Sequence, residues 1–256
     1  MTDRFFAKVS VCLFLLLFTL LFICSCKKTE QPQQQPPKNE NSAPAIKNTE
    51  ANKPASGTVE LQIELPKPLF EGTPQNVSVA NLEKARPAGQ KRPSFFVPVG
   101  TSNVAFKKPI IGFNEEPVIG DLEMITDGDK EATDGSYVEL ALGLKNITID
   151  LQDEYNIYAI CLWHYHKQPR VYFDVIVQTA QDRDFITGVN TLFNNDIDNS
   201  AGLGIGKNMN YTETNEGRLI DGKGVRARYV RFYSNGSTGN ELNNYIEVEV
   251  YGKPAK

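Results

Sequence analysis

Ile147-Thr148-Ile149-Asp150-Leu151 alternates apolar and polar residues, and Ile157-Tyr158-Ala159-Ile160-Cys161-Leu162-Trp163 follows it as an almost unbroken apolar run. Successive side chains of an extended chain point to opposite faces. The first stretch therefore predicts a strand with one face in a core and one in water. The second predicts a strand covered on both faces, central to a sandwich. Further along, Val171, Phe173, Val175 and Val177 share one face of a strand, with Asp174 and Gln178 on the other. Arg228, Val230 and Phe232 alternate with Tyr229, Arg231 and Tyr233, and Ile246, Val248 and Val250 with Glu247, Glu249 and Tyr251. No long segment has helical period with caps at both ends. Short strands joined by Gly/Asn/Asp-rich loops predict an all-β chain, an antiparallel β-sandwich of jelly-roll type.

Upstream of Ser102 the composition changes. Val59 to Leu65 alternates and predicts a strand, which Pro66 and Pro68 end. Residues 58–101, with Lys84, Arg86, Lys91 and Arg92, are expected to be a partly ordered extension packed on the main domain. Residues 26–57 are rich in Gln, Pro, Asn, Lys and Glu. They carry too little apolar surface to offset ordering entropy and are expected to be a disordered tether. Arg4 and Lys8 precede an apolar run from Val9 to Ile23, about 15 residues, the length of a signal-peptide core and short of the roughly 20 that span a bilayer. The run closes on Ile23-Cys24-Ser25-Cys26, which resembles a bacterial lipobox. That implies a lipoprotein signal over residues 1–25, lipid on Cys26 and an extracytoplasmic place in the cell envelope, at the outer membrane or cell surface; the alternative is an uncleaved anchor helix.

The formal net charge of −4 argues against a broad grip on nucleic acid. Of the four cysteines only Cys161 would remain thiol-bearing after removal of the leader and lipidation, so the domain is expected to fold on core packing.

Five motifs in order carry a resemblance. Asn103-Val104-Ala105-Phe106-Lys107-Lys108-Pro109, Ile125-Thr126-Asp127-Gly128-Asp129, Ile147 to Leu151, Ala227-Arg228-Tyr229-Val230-Arg231-Phe232-Tyr233 and Glu247-Val248-Glu249-Val250-Tyr251-Gly252 resemble the coagulation factor C-type (discoidin-like) domain over about residues 102–253. The resemblance implies a galactose-binding-like sandwich acting as a non-catalytic binding module, in bacteria usually for carbohydrate. It implies a structural calcium on the matching positions Asp127, Asp129 and Glu247. Ala132 stands where that family often has Thr, and the segment 190–224 is long for the family.

Four constellations bear on function. Asp127 to Asp134 sets alternate acidic residues in a Gly-bearing loop, a hard-oxygen set suited to calcium or simply a solvated turn. Trp163-His164-Tyr165-His166, followed by Pro169-Arg170, holds both histidines of the chain. His164 and His166 fall on one side of an extended chain. They are read either as a hydrogen-bonded pair at a strand end, as sugar contacts together with Arg170 and Asn195, or as zinc or copper ligands. Asp196-x-Asp198-x-Ser200 hints at a cation loop but lacks the glycine and terminal glutamate of an EF-hand, and Gly202 to Lys207 lacks phosphate-loop spacing. No G-x-S-x-G or H-E-x-x-H pattern occurs. The expected function is a lipid-anchored envelope protein binding carbohydrate or another surface ligand, with protein docking, or a metal-dependent enzyme using His164 and His166, as alternatives.

Overall fold

A computed structural model describes residues 56–69, 77–87, 89–112 and 115–256. Cys26, the leader and nearly all of the tether lie outside them. Among the described residues, ten strands and one short 3-10 helix make up the regular structure. The strands are β1 Thr58–Glu60, β2 Phe96–Pro98, β3 Ser102–Asn103, β4 Ile110–Ile111, β5 Val138–Leu140, β6 Lys145–His164, β7 Ile176–Ala180, β8 Asn190–Asn194, β9 Arg218–Ser234 and β10 Asn243–Pro254; the 3-10 helix is Leu122–Thr126. β1 pairs with β2. The main sheet runs β3-β10-β6-β9-β7-β8, with β4 also on β6 and β5 also on β10, all antiparallel.

The two stretches that predict separate strands are one strand, β6. Its register against β9 breaks between Asp150 and Tyr155 and again between Ile157 and Ala159. Gln152 takes φ +69° there, and its N–H is held by Asp150 Oδ1 at 2.7 Å. Such irregularities bend a strand. Before the bend β6 pairs with β4 and the end of β9; after it, β6 pairs with β10 and the start of β9. The same two long strands thus supply both layers of the sandwich. Ile147, Ile149 and Leu151 from one half meet Ile160, Leu162, Val248 and Val250 from the other in a single buried cluster, with Val230, Phe232, Val175 and Val177. Burying each such side chain contributes about 1.5–3 kcal/mol.

The apolar outer face of the β6–β10 half is covered as well. Ala159, Cys161, Trp163, Ile246 and Tyr251 form a second cluster under Val97, Leu61, Ile63 and Phe95. The 58–101 segment is what lies over it. Only Thr58–Glu60 of the expected 59–65 strand pairs; beyond it Leu61 N–H donates to Phe95 O at 2.7 Å, and Leu61 and Ile63 turn inward while Val59 and Leu65 stay exposed. The strand expected from Val171 also starts late. Asp174 takes φ +51°, which interrupts extended geometry, and β7 begins only at Ile176.

Candidate functional site

A cleft of about 430 Å³ lies where the segment 83–93 faces the loop 211–219 that feeds β9. Backbone pairing sets its floor. Glu83 N–H donates to Asn210 O (2.7 Å), Asn210 N–H to Asn81 O (2.9 Å), and Leu82 and Asn210 form an isolated parallel bridge. Asn210 is itself held from below: Asn195 Nδ2 donates to Asn210 Oδ1 at 2.9 Å, while Asn195 Oδ1 accepts from Val175 N–H at 2.7 Å. Asn195, expected as a ligand contact, is buried and commits its amide to this brace.

His164 plays a comparable part. Its Nδ1–H donates to Glu213 Oε1 at 2.7 Å, both side chains are fully buried, and its ring stacks on Tyr172 with centroids 4.3 Å apart. Glu213 N–H donates to Arg170 O at 2.8 Å, so the pair fastens the cleft loop to the end of β6. His166 is buried too, and its Nε2–H donates to Lys130 O at 3.0 Å. The structure therefore does not bring the two histidines together as metal ligands. Each is tied to a different chain segment, and neither belongs to the one aspartate triad described below. Arg170 is half-buried against the Tyr165 ring, 4.7 Å from its centroid, and Nη1 donates to Asn244 Oδ1 at 3.4 Å. Of the four expected contacts it alone keeps some exposure.

The cleft loop turns sharply. Gly217 N–H donates to Thr214 O at 3.0 Å with φ +63°, and a Cβ there would sit 2.7 Å from the Trp163 ring. Trp163 Nε1 donates to Asn215 O at 3.0 Å, and the Cys161 thiol to Glu216 O at 3.6 Å. Burial pushes that thiol up to about 12, so it is a packing group and not a nucleophile. Charged groups line both walls. Arg86 pairs with Glu216, Arg218 pairs with Glu83 at 2.5 Å, and Arg92 Nη1 donates to the carbonyls of Glu216 (3.0 Å) and Gly217 (3.4 Å). The Arg218 guanidinium lies over Tyr211 and Phe193, 4.8 and 5.1 Å from their centroids. Reading along the sequence marked Lys84, Arg86 and Arg92 only as basic residues of an extension. It missed Arg218, Glu216 and Tyr211 as their partners across the cleft.

The calcium positions lie elsewhere. Glu247, on β10, is buried. Its Oε2 accepts from Gly128 N–H at 3.1 Å, and its Oε1 has no partner. Burial pushes its carboxyl up to about 9; Glu249 and Asp127 add to the rise, and the Gly128 N–H and Lys130 oppose it. Asp127 Oδ1 accepts from Asp129 N–H (2.8 Å) and Asp129 Oδ1 from Glu131 N–H (2.9 Å), two linked turns in an exposed loop. Among the described residues the one triad with ligand atoms within 4.8 Å of one another is Asp174, Asp196 and Asp198. Those carboxylates are taken up by loop donors: Ser200 Oγ and Asn235 Nδ2 on Asp174, and Ser200 N–H and Ala201 N–H on Asp196.

No protein-family model matches the chain, and no curated protein matches it. Solved structures do. A family 89 glycoside hydrolase from Clostridium perfringens matches at 18% identity and TM-score 0.44 over 60% of this chain, which spans only 15% of that enzyme. A fucose binding module from Streptococcus pneumoniae matches at 16% identity and TM-score 0.41, over 61% of this chain and 99% of that one. A fucolectin from striped bass (Morone saxatilis) serum matches at 16% identity and TM-score 0.41, over 61% and 50%.

Proposed function

We propose that this chain is a non-catalytic, lipid-anchored envelope protein whose β-sandwich binds carbohydrate in the cleft between residues 83–93 and 211–219. The observation that carries the reading is the cleft itself: about 430 Å³, within the size range of small-ligand sites, with guanidinium groups, carboxylates, the Gln90 amide and the Asn215 side-chain carbonyl among its lining groups. Convergent donors and acceptors of this kind match the hydroxyls of a sugar ring. In this reading His164 and Asn195 act as positioning residues beneath the cleft and do not touch the ligand. The anchor is a lipid on Cys26 after removal of residues 1–25, with 26–57 as the tether, so the domain faces out of the cytoplasm.

Calcium belongs to the proposal as a structural ion. One observation supports it: Glu247 presents a buried oxygen with no partner, and its other oxygen accepts from Gly128 N–H in the Asp127–Asp129 loop, although the ligand atoms of Asp127, Asp129 and Glu247 do not gather within 4.8 Å of one another. A bound divalent cation would supply the positive charge that this buried carboxylate lacks. Its effect would be to fix the loop at 127–131, from which Lys130 O accepts the His166 hydrogen bond.

The test is a glycan array probed with the full chain in detergent, with and without calcium. Hits are followed by titration on the fluorescence of Trp163, the only tryptophan. Saturable glycan binding that perturbs Trp163 is expected, because its indole donates to the cleft loop. An empty array would overturn the reading. Docking of an envelope protein through the long 190–224 segment is the second reading, favoured by one observation: Ile205 in that segment is 70% exposed.

A further inference from the structure

The charge in the cleft carries the reading one step further. The whole chain is formally −4, yet the cleft lining holds Lys84, Arg86, Arg92 and Arg218 against only Glu83 and Glu216. Each glutamate is already spent on one arginine: Glu216 on Arg86 and Glu83 on Arg218. The acids therefore do not cancel the site; they hold two planar forks in place while two cations remain over. Among the described residues Lys84 has no ion pair. Arg92 is fixed by two carbonyls, which neutralise nothing. Arg218 is fixed by two aromatic rings, and its Nε is buried with no partner.

We propose that this cleft selects acidic oligosaccharides, sugars bearing carboxylates, through Lys84, Arg86, Arg92 and Arg218. The inference rests on the cleft being the carbohydrate site. Guanidinium groups held by stacking and by carbonyls have already lost their side-chain freedom, so pairing with a carboxylate costs little further ordering. Such a charge-assisted pair is about twice as strong as a neutral hydrogen bond. A lone inorganic anion fills only a small part of about 430 Å³, whereas a sugar acid also reaches Gln90 and Asn215.

The experiment is calorimetric titration of the full chain with trigalacturonate and with the same trisaccharide fully methyl-esterified, at low and at raised salt. The two differ at the carboxyl groups alone: the ester carries no charge and one added methyl at each. The acid is expected to bind about tenfold tighter, with the gap narrowing as salt screens it. Arg218→Gln should lower affinity for the acid by about tenfold. That substitution also removes packing on Tyr211. Lys84→Gln, at an exposed and unpaired side chain, is therefore the second variant, and should narrow the acid-over-ester ratio by about threefold. Equal affinity for acid and ester overturns the proposal. So does inorganic phosphate that competes as tightly as the acid, which would reduce the site to an anion hole. If array glycans bind and neither trisaccharide does, charge selection falls and carbohydrate binding stands; if nothing binds, both fall.

Discussion

Glu247 offers the sharpest quantitative test, because its burial couples protonation to stability and the proposed calcium would act on the same carboxylate. The ordinary glutamate value is 4.5, and in the fold the carboxyl is pushed up to about 9. Between those limits the folded chain keeps a proton that the unfolded chain releases. Stability then falls as pH rises, by about 1.4 kcal/mol per pH unit, is highest below the unfolded value, and levels off above the folded one. From pH 4.5 to pH 7 this amounts to about 3 kcal/mol, or roughly 10 °C of melting temperature for a domain of this size. The measurement is thermal unfolding from about pH 5 to about pH 9, in a chelator and in millimolar calcium. In chelator the melting temperature should fall with pH. In calcium the slope should vanish, since the ion binds the carboxylate and displaces its proton. Glu247→Gln keeps an acceptor for Gly128 N–H and cannot ionise, so it should flatten the chelator curve and erase the calcium response. The difference between wild type and variant removes the contribution of other titrating groups. A wild-type chelator curve parallel to that of the variant would refute the burial argument, and a calcium response retained by the variant would refute the site.

Two further outcomes follow from single contacts. Asp150 accepts two hydrogen bonds from Arg228, at 2.8 and 2.9 Å, and these, with the Gln152 N–H, hold its carboxyl below the usual carboxylate range. Stability from this pair is present above the unfolded aspartate value and is lost as pH falls through the folded one. Because the arginine is partly solvated, Asp150→Asn should cost about 1 kcal/mol near neutral pH and nothing in strong acid, read from urea melts. Gly217→Ala forces a side chain into φ +63° and against the Trp163 ring at 2.7 Å. It should cost about 2 kcal/mol and shift the emission of Trp163; unchanged melting and emission would show that the turn yields freely.

The sandwich was legible because alternation survives every local irregularity: Ile147, Ile149 and Leu151 point one way whether or not the strand goes on to Trp163. The bend was not legible, because no residue type announces a left-handed Gln152. Continuous apolarity at Ala159, Cys161 and Trp163 correctly implied a second covered face, without saying that Leu61, Ile63 and Phe95 cover it. The site was the least legible part. His164 stood out as a rare titratable residue, but its partner Glu213 lies 49 positions on and is supplied by the fold. Asn195 looked like a rim residue because asparagine in a polar loop gives no sign of burial. The cleft joins Arg86 to Glu216 across 130 positions, a separation no local pattern can bridge.

That separation also explains how a sandwich acquires such a site. The described parts of 58–101 have little core of their own. β1 and β2 share only three residue pairs, and their apolar side chains are buried on the outer face of β6 and β10. Their order therefore comes from docking, and docking is what creates a wall opposite the β9 loop. The loop is in turn held by groups that belong to the sandwich: Trp163 through Asn215, His164 through Glu213, Cys161 through Glu216. Each of these lies on β6, the strand common to both layers. The cleft is thus fixed on one side by the most buried strand of the fold and on the other by the least self-sufficient segment. The cationic residues sit mainly on the second. Lys84, Arg86 and Arg92 can change without disturbing the core, whereas His164 and Trp163 cannot. In the proposed reading, ligand preference would be carried mainly by the docked segment and the framework by the sandwich.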